Sequence, residues 1–129
     1  MKTKPILITS VLALALTTAS THADSFGSGG NTFNLGFVTI TNPGNANDTT
    51  GYGGVSYNYN MAVTDVSQTM LDDATALGVV NLGGGGWTGN KPATNVTWYQ
   101  AAAFVNWLNT STGHQAAYQL NVNNTALTL

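Results

Sequence analysis

The chain has 129 residues, with three lysines or arginines, five acidic residues, two histidines, no cysteine and a formal net charge of −2. Without a thiol it can build no disulfide framework, no thiolate metal site and no cysteine nucleophile. So few cations offer almost nothing to phosphates, which argues against nucleic-acid binding and makes an anionic membrane surface unattractive.

Residues 1–23 read as a signal peptide. Lys2 and Lys4 form a positive start, Ile6 to Leu16 a short apolar run, and Thr21-His22-Ala23 a small-residue cleavage site before Asp24. The run is shorter than the roughly 20 residues that span a bilayer, and no later stretch approaches that length. A secreted or periplasmic protein is expected, with no membrane span in the mature chain. Cleavage would leave one lysine (Lys91) against five aspartates, a side-chain charge of −4. That mature length suffices for one small domain.

Residues 24–34, rich in Gly, Ser and Asn, read as a flexible leader, and 35–129 as the domain. A first strand is expected over 35–40, then a turn-rich loop over 42–54. Val55, Tyr57, Tyr59, Met61 and Val63 alternate with polar or small residues, which predicts a half-buried strand over 55–64 with that set inward. Ser67 can cap a helix over 68–77, with Met70, Leu71, Ala74 and Leu77 inward and Gly78 ending it. Gly83 to Gly86 reads as a flexible surface loop, because a phosphate loop would end in Gly-Lys-Ser/Thr and open a helix. After a strand over 94–98, Thr97 and Gln100 form a capping box for a helix over 99–109. Ala101, Phe104, Val105 and Leu108 make its apolar stripe, and Gly113 is available as a left-handed cap.

Few residues carry chemistry. Asp48, with Asn45 and Asn47, could offer oxygens to calcium, but an Asx-turn network holding the 42–54 loop explains the same residues. Asp72 and Asp73 are helix neighbours about 100° apart and do not converge on one substrate. His114 stands without a second ligand and reads as exposed loop. Trp87, Trp98 and Trp107, with Tyr57, Tyr59 and Tyr99, could form a platform for a sugar; core packing accounts better for Trp98 and Trp107. Trp87, Asp48 and Asn45 are kept as candidate ligand contacts. No catalytic, cofactor-binding or metal-binding residue is assigned.

The stretch from Pro92 to Leu108 resembles a hallmark of the formylglycine-generating enzyme and sulfatase-modifying factor family, whose fold is a variant of the C-type lectin fold. Pro92, Val96, Trp98, Ala101, Phe104, Asn106, Trp107 and Leu108 match, and Gln100 replaces the usual Asp. Pro43 to Tyr59 and Met61 to Leu71 are similar to earlier segments of exported bacterial members. Tyr118-Gln119-Leu120 is similar to the strand before a later block that this sequence lacks. The resemblance therefore covers about 35–120, the amino-terminal half of a domain.

It implies an α+β fold, a twisted mostly antiparallel sheet with two helices. In the family a cysteine pair assisted by copper does the chemistry in the carboxy-terminal part, and calcium sites lie largely there too. Neither copper nor calcium is expected on this chain without such a half. The leading expectation is an exported domain, truncated and without catalysis of its own. The alternatives are a secreted lectin-like module binding glycan or protein, and the amino-terminal part of a formylglycine-generating oxidase. Unpaired apolar surface would also favour self-association.

Overall fold

The computed structural model describes residues 21–128, so the signal-peptide expectation falls almost wholly outside the described residues. The described residues are α+β, with an antiparallel sheet in the order β1-β2-β3 and two helices. Strand β1 (Thr21–Ser28) and strand β2 (Asn31–Ile40) pair from Thr21↔Val38 to Ser28↔Asn31. The expected leader over 24–34 is thus corrected: these residues form most of a β-hairpin. Gly29-Gly30 makes its two-residue turn, and glycine supplies the left-handed conformation such turns demand.

Strand β3 (Tyr59–Ala62) is shorter than the predicted 55–64 and joins β2 from Ile40↔Tyr59 to Phe37↔Ala62. Directly paired residues share a face, so this register places Ala62 and Asn60 with Phe37 and Thr39 on the helix side. The predicted inward set is reversed here: Met61 and Val63 are exposed. Alternation reports a period but not which face meets the core, and the pairing to β2 decides that.

Helix α1 (Gln68–Ala76) begins as predicted, with Ser67 Oγ accepting from Met70 N at 3.3 Å. Its next donors go to the loop before α2: Gln68 N donates to Lys91 O and Thr69 N to Gly89 O. It ends in a Schellman motif, where Gly78 N donates to Thr75 O and Val79 N to Ala74 O. Helix α2 (Trp98–Ser111) carries both halves of the Thr97–Gln100 capping box. Its end repeats the device, with Gly113 N on Thr110 O and His114 N on Asn109 O.

The predicted strand over 94–98 does not form. Only Pro92 bridges, to Ser67, and Asn95 turns left-handed at φ 58°. Likewise Leu120 makes a single bridge to Leu127 rather than a strand. Leu71, Ala74, Leu82, Ala103 and Phe104 form the core, and Phe33, Val66 and Trp107 pack around it. Phe26 and Leu35 are buried on the sheet. Each large side chain buried this way contributes about 1.5–3 kcal/mol.

Candidate functional site

Helix α2 organises the surface, and not by the face its spacing predicts. Ala102, Ala103 and Phe104 are buried, while Ala101 and Val105 of the predicted stripe are exposed and Leu108 is half-buried. The helix is rolled because its aromatic residues dock on the hairpin. Trp107 lies 6.1 Å from Phe26, 5.9 Å from Phe33 and 5.8 Å from Phe104, ring centre to ring centre. Core packing of Trp107 is as expected. Trp98 is the correction: it is 54% exposed, stacked edge-on with Tyr99 and Tyr118.

Two concavities flank the exposed side of α2. A groove of about 410 Å³ runs along Val66, Pro92, Val96, Ala101 and Val105. A larger cleft of about 760 Å³ opens between the sheet and the second half of α2, with Phe37, Tyr57, Tyr59, Asn109, His114 and Tyr118 among its walls. Its far wall is held by Asn106, whose side chain donates to Tyr118 O at 2.8 Å and accepts from Tyr118 N at 2.9 Å. The Schellman end of α2 sets His114 at the rim. His114 is exposed as expected, though its place beside this cleft was not foreseen.

The three candidate contacts do not converge there. Trp87 is half-exposed, but Lys91 Nζ stands 4.7 Å from the centre of its ring and occupies one face. Such a contact is worth about 0.5–1 kcal/mol at an exposed site. Asn45 is committed to its own loop, its amide donating to Gly53 O and its oxygen accepting from Val55 N. Asn47 Oδ1 accepts from Gly54 N. Asp48 Oδ1 accepts from both the amide and the hydroxyl of Thr50, hydrogen bonds that hold its pKa below the ordinary aspartate value. The Asx-turn reading of this loop describes the geometry.

Calcium is suggested at Asn45, Asn47 and Asp48 by their own chemistry, and copper is implied only through the resemblance. Asn45 Oδ1, Asn47 Oδ1 and Asp48 Oδ1 each accept hydrogen bonds from the loop's own groups, and the sequence has no thiol. These residues do not fit either ion. Among the described residues no group of three His, Cys, Asp or Glu side chains is placed to hold a metal. Asp72 accepts from Gln68 Nε2 at 2.8 Å, a contact within one helix.

Sequence reasoning missed Asn106, Asn109 and Tyr118 as elements of the site. The signal for Asn106 was present in the matched hallmark, but its partner lies twelve residues on and only folding joins them. No helix among the described residues is long and apolar enough to cross a membrane. In comparisons with protein-family models, curated proteins and solved structures, the chain matches none.

Proposed function

We propose that this chain is an exported protein, secreted or periplasmic, without catalysis of its own and built on the amino-terminal half of a sulfatase-modifying-factor-like domain. One observation carries the reading. The helix bearing the most specific residues of the resemblance folds with its capping box intact, yet Trp98, Ala101 and Val105 stay open to solvent. A helix face of that composition is what a further element of a larger domain would cover. Without a cysteine, the chain cannot itself perform cysteine-dependent oxidation. Self-association through uncovered apolar surface belongs to the same proposal.

The test is the intact mass of the native protein in the exported fraction. A mass matching residues 24–129 would support the non-catalytic reading. A much larger mass would overturn the non-catalytic reading, and oxidation of a cysteine peptide to formylglycine would then be sought in the additional sequence. A second reading, an exported binding module, is favoured by the aromatic cleft beside α2.

A further inference from the structure

We infer that the cleft between the sheet and α2 binds a neutral oligosaccharide, an assignment that rests on the binding-module reading. Its volume of about 760 Å³ falls within the roughly 300–1,000 Å³ of small-ligand sites. Phe37, Tyr57 and Tyr118 line the cleft with aromatic side chains, and both tyrosines carry a phenolic hydroxyl. Asn109 adds an amide and His114 an imidazole; neither side chain hydrogen-bonds to another described residue. These groups are free to engage a ligand.

Charge narrows the class. The lysine among the described residues, Lys91, is not on this cleft and sits against Trp87, so a phosphate, sulfate or carboxylate would meet no cationic side chain from Lys or Arg. The wall has one carboxylate, Asp24, and its Oδ2 lies 3.6 Å from His22 Nε2. A purely apolar ligand would cover the amide and phenols without partners, at a desolvation penalty of about 1–3 kcal/mol each. A sugar ring avoids both conflicts. Its C–H faces lie on aromatic rings, and its rim of hydroxyls both donates and accepts, as Asn and Tyr require. The open form of the cleft admits several linked rings.

The full chain is titrated calorimetrically with oligomers of cellulose, xylan, chitin and mannan, with oligogalacturonate as the anionic control. At least one neutral oligomer is expected to bind saturably, and the anionic one not to. Tyr57→Ala and Asn109→Ala should each weaken binding about tenfold, the equivalent of about 1.4 kcal/mol. Tyr57 is 66% exposed, so its truncation should leave the thermal midpoint unchanged. Trp87→Ala, on a different loop, should bind as the parent does. The assignment is overturned if folded protein, judged by near-ultraviolet dichroism, binds none of the neutral oligomers. Binding that survives both cleft variants also overturns it, as does a dimer that Tyr57→Ala dissolves. Loss of the saccharide assignment leaves the exported reading standing, because the latter rests on where the native chain is recovered and on its mass.

Discussion

Gly84 and Gln68 show how one side chain constrains another. Gly84 has φ +98°, and a Cβ there would lie 2.6 Å from Gln68 Oε1. Gly83 covers the Gln100 amide in the same way. The run predicted as a flexible surface loop is therefore a seat over the first turns of both helices. Gly84→Ala forces a left-handed conformation on alanine and crowds a buried amide. It should lower stability by about 1–3 kcal/mol, read as a lower urea midpoint. An unchanged midpoint would show that the loop is not packed on Gln68. Asp48 gives a pH-dependent counterpart. Its folded pKa is depressed by Thr50, so its contribution is present above the ordinary aspartate value and is lost as pH falls through the depressed one. Protection of the Thr50 amide, taken relative to its intrinsic exchange rate, should fall over that acid window, and Asp48→Asn should remove the pH dependence. Persistence of the same dependence in the variant would assign it to another group.

Helix α2 is the element on which most packing depends, and its two ends behave differently from its middle. Phe104 is buried among Leu71, Ala74, Leu82 and Ala103. Phe104→Ala should cost about 3–5 kcal/mol, a large share of the about 5–15 kcal/mol that holds a domain folded, and lower the melting midpoint strongly. Thr97→Ala, which removes only the cap, should cost about 1 kcal/mol and keep cooperativity. Calorimetric melts distinguish these; equal losses would place Phe104 outside the core. The contrast also explains what could be read in advance. Both helices were legible because caps and left-handed glycines are signals within one turn of chain. The hairpin was not, because Phe26 and Phe33 acquire meaning only when paired across Gly29-Gly30, and a glycine-rich stretch reads equally well as a leader. The face of α2 was misread by a partial turn, since Trp107 docks on Phe26 and Phe33, residues assigned to no core beforehand. The candidate site was legible only as a list of aromatics; what gathers Tyr57 and Tyr118 is the β2–β3 pairing and the Asn106 clamp.

At the scale of the whole molecule, apolar surface remains on both sides of the sheet. The helix side is covered in part by α2. On the other side the register aligns Val38 with Met61 and Ile40 with Tyr59, and Met61 and Val63 are each 52% exposed. An antiparallel sheet commonly leaves one face to water, but that face then carries polar side chains, which these are not. Self-association through this outer face should therefore appear as a concentration-dependent rise in sedimentation coefficient. Sulfate should strengthen it, because excluded salts favour burial of apolar area. Met61→Asp with Val63→Asp should return the chain to a monomer while leaving the thermal transition within about 0.5 kcal/mol, since both residues are exposed. The same pair of carboxylates adds negative charge to a chain that already carries a net charge of −2, so a parallel measurement in high sodium chloride is required. If screening restores association to the double variant, repulsion alone had separated the copies and the outer face is not the contact. If the variant stays monomeric under screening, the apolar face is what joined them.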